Sequence, residues 1–296
     1  MNTDYFGLLM RTLDNGHLRL DFLTEAGPRI VRLIPARSDQ NLLAELPREQ
    51  ISSALGRFNM YGGHRLWHAP EADPRSYIPD DAQLQVEDLA DGVRLTGAAE
   101  APTGIRKSIE IHLAPDRAAV TLVHELRNEG LWAVELAPWA ITQMALGGVA
   151  VLPQCTAPAD GNGLLPNRTL TLWPYTRWGD PRLKLNDDFV LVQGQSVRPA
   201  CKIGYFNSSG WVGYLNGGVF FIKHFTPRPD ELHPDFNCNT EVYVNHLFLE
   251  VETLAPLTRL QPGLAIRHIE TWNVYTGMAQ PTTLDGIREL VNALGF

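Results

Sequence analysis

The chain has 296 residues, of which 44% are hydrophobic and 20% are charged, and its formal net charge is −8. This composition is typical of a soluble globular protein. The 25 lysines and arginines form no dense basic cluster, so nucleic-acid binding is not expected. No apolar run reaches the ~18 residues of a membrane span, and residues 1–16 lack the pattern of a signal peptide.

Period-two alternation of apolar residues dominates the chain and predicts β-strands. It begins at residues 18–22 (LRLDF), resumes after a Gly-Pro break at residues 29–34, and recurs at residues 92–97. Residues 108–113 and 119–126 flank a Pro-Asp-Arg turn and predict a β-hairpin. Further strands are predicted within residues 132–144, 211–225, 241–252 and 267–275.

Helical signals are sparse. Residues 48–58 predict a short helix or turn, and residues 284–294 predict an amphipathic helix because their apolar residues recur with helical spacing. Residues 153–199 are the least regular part of the chain and predict long loops of the kind that carry binding residues. No repeat or low-complexity linker divides the sequence. We therefore expect one all-β domain of antiparallel sheets over residues 1–296.

The cysteines indicate a reducing compartment. Cys155, Cys201 and Cys238 are scattered and show no spacing typical of metal binding or redox pairs. An odd number of thiols without an export signal predicts reduced cysteines and a cytoplasmic protein. The sequence indicates no cofactor and leaves the oligomeric state open.

Residues 61–71 (YGGHRLWHAPE) carry the densest set of polar and aromatic side chains. Their two glycines permit an unusual backbone conformation and close approach of another strand. The arginine is suited to planar bidentate hydrogen bonding, and the tryptophan offers a flat face on which a sugar ring stacks. The stretch therefore predicts a carbohydrate site or, alternatively, a glycine turn above a buried tryptophan.

Six segments of the chain resemble the galactose-mutarotase-like superfamily, and most closely a bacterial branch of it that is distant from the aldose 1-epimerases. They are residues 27–33 (GPRIVRL), 61–71, 103–113 (TGIRKSIEIHL), 135–144 (ELAPWAITQM), 247–257 (LFLEVETLAPL) and 268–275 (HIETWNVY). The resemblance covers about residues 18 to 275. It implies a β-supersandwich of two large twisted antiparallel sheets with a sugar site on a concave face.

The resemblance also implies roles for individual residues. Arg65 matches the arginine that helps to hold the sugar in the epimerases, and Glu250 and Glu252 both match the strand that supplies their general base. The histidine that acts as general acid in the epimerases has no counterpart in residues 137–142 (APWAIT). This departure leaves three functions open: an aldose 1-epimerase-like isomerase, a non-catalytic sugar-binding or sensing protein, and a polysaccharide lyase or hydrolase module.

Alternation along the strands groups further candidates. Glu250 and Glu252 fall on one face of their strand, ~7 Å apart, where one carboxyl could act as acid and the other as base. Glu241 and Tyr243 fall on one face of the preceding strand, where Tyr243 could stack on a sugar. Either pair could instead face solvent or pack in the core.

Basic residues suggest a pocket for an acidic substituent. Lys223 closes an apolar strand and, with Arg65, Arg182 and Lys202, could form an electropositive site for a carboxylate or phosphate. Lys223 could equally protect a strand edge. The histidines show no compact metal-binding motif, so no metal site is predicted.

These observations combine into one prediction for the site. We predict that His64 and Arg65 contact the ligand, and that Glu252 is the general base, with Glu241 as its rival. His64 would replace the missing acid, since imidazole titrates near neutrality. The predicted stacking residues are Trp67, Trp139 and Trp173, and the predicted partner is a small sugar or sugar acid.

Overall fold

A computed structural model describes residues 3–281 and 283–296, and most of its regular structure is β-strand. In chain order the strands are β1 (Thr3–Tyr5), β2 (Leu8–Asp14), β3 (Leu18–Leu23), β4 (Arg29–Pro35), β5 (Glu45–Ser53), β6 (Gly56–Gly62), β7 (His64–Ala69), β8 (Gln85–Leu89), β9 (Gly92–Thr96), β10 (Ile105–Leu113), β11 (Ala119–Asn128), β12 (Val134–Ala145), β13 (Val149–Pro153), β14 (Thr171–Leu172), β15 (Leu183–Leu185), β16 (Phe189–Gln193), β17 (Cys201–Tyr205), β18 (Trp211–Asn216), β19 (Val219–His224), β20 (Thr240–Val244), β21 (Phe248–Leu254), β22 (Thr258–Leu260) and β23 (Ala265–Thr276). Helical segments are a 3₁₀ turn at Arg75–Tyr77, a four-residue turn at Pro234–Asn237 and an α-helix at Leu284–Ala293.

Two large antiparallel sheets form the fold. The larger sheet has the strand order β1-β2-β3-β4-β7-β12-β21-β20-β17-β14, and β22 also pairs with β12. The second sheet has the order β15-β16-β13-β18-β19-β23-β11-β10-β9-β8, and β5 and β6 form a separate hairpin. The hairpin predicted from residues 108–113 and 119–126 is formed by β10 and β11. The predicted all-β architecture of large antiparallel sheets is confirmed.

The main core lies between the two sheets. Strand β11 shows how the sequence builds it, because its residues alternate between buried and partly exposed along most of its length. Leu66 and Val251 from the larger sheet meet Phe221 and Trp272 from the second sheet in this core. Removing such apolar surface from water, at about 25 cal/mol per Å², is the main force that holds the sheets together.

A second apolar cluster lies on the opposite face of the larger sheet. Leu46, Phe58 and Met60 of the β5–β6 hairpin pack there against Trp67. Of the short helix or turn predicted over residues 48–58, only a turn at residues 54–55 forms, and the other residues belong to the two strands of this hairpin. The hairpin packs on the larger sheet and forms one wall of the site described below.

The predicted C-terminal helix is confirmed as Leu284–Ala293. Thr283 caps its N-terminus, where the side-chain oxygen accepts a hydrogen bond from the backbone nitrogen of Gly286. Ile287 and Val291 pack on the outer face of the second sheet. Within the described part of the chain, no helix has the length and apolar character needed to cross a membrane.

Candidate functional site

Five neighbouring strands of the larger sheet bring many of the predicted residues to one face. These strands are β7, β12, β21, β20 and β17. Because side chains alternate along a strand, the register aligns Arg65 with Ile141, Ile141 with Glu252, and Glu252 with Glu241 on the same face. The other face of these strands contributes to the core between the sheets. We call the face that carries Arg65 and Glu252 the site face.

A cavity of about 450 Å³ opens on the site face. This volume lies within the range of ~300–1,000 Å³ that is usual for small-molecule sites. Its walls come from the β5–β6 hairpin, from the loop around Trp173 and from the turn between β20 and β21. Its aromatic lining consists of Trp67, Tyr77, Trp139, Trp173, Tyr175, Tyr243 and Phe248. The cavity therefore combines stacking surfaces with the polar floor described next.

Arg65 and Glu250 form the polar centre of the cavity floor. Nη2 of Arg65 donates a hydrogen bond to Oε1 of Glu250 at 2.9 Å, and Nε2 of Gln143 donates to the same oxygen at 3.0 Å. Among the described residues no hydrogen bond reaches Oε2 of Glu250, whose side chain is 10% exposed. Burial raises the pKa of Glu250 to about 7, and repulsion from Glu252 adds to this rise while Arg65 opposes it. A carboxyl that titrates near neutrality can both accept and release a proton.

Lys202 lies deeper in the floor, between two buried carboxylates. Its Nζ is 2.7 Å from Oε2 of Glu241 and 3.1 Å from Oε2 of Glu252. Nε1 of Trp139 also donates to Oε2 of Glu252, at 2.7 Å. Burial by itself lowers the pKa of Lys202, but the two carboxylates outweigh it and hold that pKa well above its ordinary value. Lys202 therefore stays charged and neutralises part of the negative charge beneath the cavity.

Tryptophan rings surround the two cations of the floor. The guanidinium carbon of Arg65 lies 4.3 Å from the ring centre of Trp67. Nζ of Lys202 lies 4.6 Å from the ring centres of both Trp139 and Trp173. Trp67 and Trp139 meet edge to face and are almost fully buried, whereas Trp173 is only partly buried. Trp173 therefore offers a ligand the largest accessible surface of the three predicted stacking residues.

The paired glycines before Arg65 are needed for the local backbone conformation. Gly62 has a φ of 90° and Gly63 a φ of 72°, in the left-handed region that favours glycine. A Cβ atom would clash with the carbonyl oxygen of Ala44 at the first position and with that of Ile30 at the second. The two glycines thus let β7 start in close contact with neighbouring backbone, which positions Arg65 at the floor of the cavity.

The structure corrects the predicted position of His64. Its neighbour Arg65 faces the cavity, so alternation turns His64 to the opposite face of β7, inside the core. There its Nδ1 lies 2.8 Å from Oγ1 of Thr142, and its Nε2 lies 2.7 Å from Nε2 of His124. Burial lowers the pKa of His64 well below its ordinary value. A neutral, fully buried imidazole on the far face of the sheet cannot pair with Glu252 across a sugar in the cavity.

Arg182 and Lys223 also lie outside the cavity. Arg182 is fully buried and donates hydrogen bonds to one carboxylate and to several backbone carbonyl oxygens. Lys223 lies between the sheets, where its Nζ is 2.7 Å from Oε1 of Glu270. The predicted electropositive pocket does not form, because only Arg65 and Lys202 of its four members line the cavity.

A polar cluster between the sheets contains the residues that could hold a metal ion. The ligand atoms of His64, His124 and Glu270 lie within 4.8 Å of one another. Each already has a hydrogen-bonding or charged partner. Nδ1 of His124 donates to the carbonyl oxygen of His268 at 3.0 Å, which leaves its Nε2 to accept the proton of His64 Nε2. Since Glu270 pairs with Lys223, the donor set is satisfied as a hydrogen-bonded network.

Sequence patterns do not identify every residue of the cavity. Tyr77 and Tyr175 line it from irregular segments, where no strand alternation indicates their direction. The hydroxyl of Tyr77 donates a hydrogen bond to Glu71, and the ring of Tyr175 meets that of Tyr243 edge to face at 6.2 Å. Glu71 is the last residue of the segment 61–71, from which the sequence predicts a carbohydrate site. Its position in that segment is the one signal that indicates its place at the cavity.

Solved structures share this fold. A TPR-domain containing protein from Parabacteroides distasonis ATCC 8503 aligns with a TM-score of 0.63 and 14% identity, over 93% of this chain and 48% of its own. A galactose mutarotase-like protein from Lactobacillus casei ATCC 334 aligns with a TM-score of 0.57 and 11% identity, over 90% of this chain and 100% of its own. A candidate aldose 1-epimerase from Escherichia coli K12 aligns with a TM-score of 0.56 and 13% identity, over 91% of this chain and 100% of its own.

Identities this low show the fold and nothing finer. No family model matches the sequence, and a search of curated proteins finds no match. The chain spans about half of the Parabacteroides protein, which is therefore a larger molecule that contains the same fold. The galactose-mutarotase-like fold implied by the sequence resemblance is confirmed.

Proposed function

We propose that this protein binds a neutral sugar in the cavity of the site face and interconverts its anomers by acid–base catalysis. One observation carries the proposal: Glu250 is a nearly buried carboxyl that lines the cavity, has a pKa of about 7 and has one oxygen that accepts no hydrogen bond from the part of the chain that the structure describes. The aromatic lining around it supports a ring-shaped, partly apolar ligand. The fold shared with a galactose mutarotase-like protein is consistent with this choice.

Anomer interconversion needs a group that removes the proton of the C1 hydroxyl. In the proposed reaction the ionised carboxylate of Glu250 takes this proton through Oε2. The electron pair of the O–H bond forms the C1 carbonyl, the bond between C1 and the ring oxygen breaks, and water gives the ring oxygen a proton. Rotation about the C1–C2 bond and reversal of these steps produce the other anomer. Arg65 holds the carboxylate in place and favours its ionised form.

The charge around the cavity favours a neutral sugar over the sugar acid that the sequence also suggests. Three carboxyl groups line the cavity and two more lie behind its floor. These five acidic groups outnumber the two cations at the same place. They are Glu49, Glu71, Glu250, Glu241 and Glu252, against Arg65 and Lys202. Glu49 and Glu71 are exposed to solvent, whereas the other three carboxyls are buried. A carboxylate or phosphate on the sugar would meet more acidic than basic groups, and repulsion would be strongest beside the buried ones, where the dielectric is low.

Polarimetry tests the proposal. Freshly dissolved α-anomers of neutral hexoses and pentoses relax slowly to equilibrium, and we expect the protein to accelerate this for at least one of them. We expect the Glu250→Gln variant to lose the acceleration, because the amide cannot take the C1 proton, and the exposed Glu289→Gln control to keep it. Acceleration that survives in Glu250→Gln would rule out this carboxyl as the base.

Sugar binding without catalysis is a second candidate function, and one observation favours it. His246 is the only histidine among the described residues that lines the cavity, and it lies in the turn between β20 and β21. No imidazole acid therefore lies on the floor with Glu250. Under this alternative the intrinsic tryptophan fluorescence responds to a neutral sugar, but the polarimetric rate stays at its uncatalysed value.

A further inference from the structure

At one end of the second sheet, no helix that the structure describes packs on the outer face. The C-terminal helix packs over β13, β16, β18 and β19, which leaves the end formed by β8 to β11 and β23 open. On this open end lies a depression of about 290 Å³, and four of the residues that line it are arginines. They are Arg94, Arg106, Arg127 and Arg267.

The register of the strands shows how the depression forms. Thr96 pairs with Ser108 across β9 and β10, and Ser108 pairs with Glu125 across β10 and β11. These two short hydroxyl side chains form a low floor between longer neighbours. Beside this row Arg106 lies directly opposite Arg127. Like charges that face each other across two strands destabilise a sheet, and an anion bound between them would relieve this repulsion.

Three of the arginines keep donor groups for such an anion. Nε of Arg106 is buried and has no hydrogen-bond partner among the described residues, while its Nη2 lies 2.9 Å from a carboxylate oxygen of Glu129. Arg127 donates from Nη1 to the carbonyl oxygen of Gly263 at 2.9 Å, and its Nε lies 3.9 Å from Oε1 of Glu125, which leaves Nη2. Arg267 donates from Nε to Glu125 at 2.8 Å, which leaves its two terminal nitrogens.

Arg94 differs from these three. Its guanidinium binds Glu110 through two nitrogens and Glu87 through the third, so it serves as a wall of the depression. Neither of these two carboxylates lines the depression, and Glu125 is the only acidic side chain that does, among the residues that the structure describes. The interior of the depression therefore has more cationic than anionic groups.

We propose that this depression binds a tetrahedral oxyanion, the phosphate group of inorganic phosphate or of a phosphate monoester. Arg106, Arg127 and Arg267 would supply forked, charge-assisted hydrogen bonds, which are the strong ones for such groups. Ser108 and Thr96 would supply hydroxyl donors from the floor. The site lies on the other sheet from the sugar cavity and does not depend on the function proposed for that cavity.

Isothermal titration with sodium phosphate tests the inference. The full chain is titrated at low ionic strength, with sodium chloride of equal ionic strength as the reference titrant, because screening weakens such contacts. We expect saturable phosphate binding that weakens at least tenfold in Arg106→Gln and in Arg127→Gln. The control is Arg117→Gln, whose guanidinium is exposed in the β10–β11 turn and should not alter binding.

A second titrant and a further variant test the chemistry of the ligand and the role of the guanidinium group. Glycerol phosphate is titrated beside inorganic phosphate, and tighter binding of the ester identifies a phosphomonoester as the ligand, whereas tighter binding of inorganic phosphate identifies the free ion. Arg127→Lys keeps the positive charge but removes the forked donor geometry of the guanidinium group. We therefore expect this variant to bind phosphate more weakly than wild type and more tightly than Arg127→Gln. Heat indistinguishable from the chloride reference, or equal affinity in wild type and both glutamine variants, would overturn the proposal.

Discussion

Replacing Lys202 with methionine removes the cation that neutralises the floor of the cavity. Methionine retains most of the apolar stem, but it leaves Glu241 and Glu252 without the ammonium group that lies 2.7 Å and 3.1 Å from them. Both carboxylates are fully buried. Breaking a buried ion pair by removing one partner costs about 3–5 kcal/mol, since the remaining charge stays buried and unpaired. We expect the free energy of unfolding to fall by this amount at pH 8.

The loss should become smaller as the pH falls. Burial raises the pKa of Glu241 well above its ordinary value, and Lys202 opposes that rise, so the variant should have a still higher pKa at this position. A carboxyl with a higher pKa in the folded than in the unfolded protein stabilises the fold most below its unfolded pKa of about 4.3. That contribution disappears as the pH rises through the folded pKa. The variant should therefore approach the wild type in mildly acidic solution.

Urea unfolding followed by tryptophan fluorescence, at pH 5.5 and at pH 8, measures both effects. Lys184→Met is the matched control, because this lysine is exposed and its replacement should change the free energy of unfolding by less than about 0.5 kcal/mol. A loss below about 1 kcal/mol for Lys202→Met at pH 8 would contradict the role of Lys202 as a required counter-charge. An equal loss at both pH values would contradict the protonation argument.

Three further predictions concern the site and the core. Because burial raises the pKa of Glu250 to about 7, the polarimetric rate should rise as the pH passes through 7, and Glu250→Gln should abolish that rise; a flat wild-type profile contradicts this. Lys223→Met should lower the free energy of urea unfolding by about 3–5 kcal/mol, and adding Glu270→Gln should recover part of the loss; no recovery would argue against their pairing. His64→Gln should cost about 1–3 kcal/mol of stability yet leave the Kd for a sugar unchanged in fluorescence titrations, and a weakened Kd would place His64 at the cavity after all.

Local alternation was sufficient to predict much of the fold. Strand β11 of the β10–β11 hairpin follows from residues that alternate between buried and partly exposed positions. The strands at residues 18–22 and 29–34 form as predicted, although β3 and β4 are buried along almost their whole length. The prediction of a helix at residues 48–58 failed because the β5–β6 hairpin packs its apolar side chains onto the larger sheet. A local sequence pattern does not reveal that contact. A short apolar segment fits a helix or a strand until its partner is known.

The same alternation limits what can be inferred about the site. His64 and Arg65 are adjacent in β7, so they cannot both face one cavity, and this could have been recognised from the sequence alone. The partners of Lys223 could not be recognised, because Glu270 lies on another strand far along the chain. Glu250 gains its raised pKa from burial and from groups on neighbouring strands, which only the assembled sheet brings together.

In the proposed function, one cavity both binds a neutral sugar and exchanges its anomers through Glu250. Proton NMR tests both parts in one sample, with saturation transfer from the protein to the sugar reporting binding and exchange cross-peaks between the α and β anomeric protons reporting catalysis. We expect saturation transfer in wild type and in Glu250→Gln, and exchange cross-peaks above the protein-free level in wild type only. Saturation transfer without exchange cross-peaks in the wild type, or the absence of both signals across hexoses and pentoses, would contradict this function.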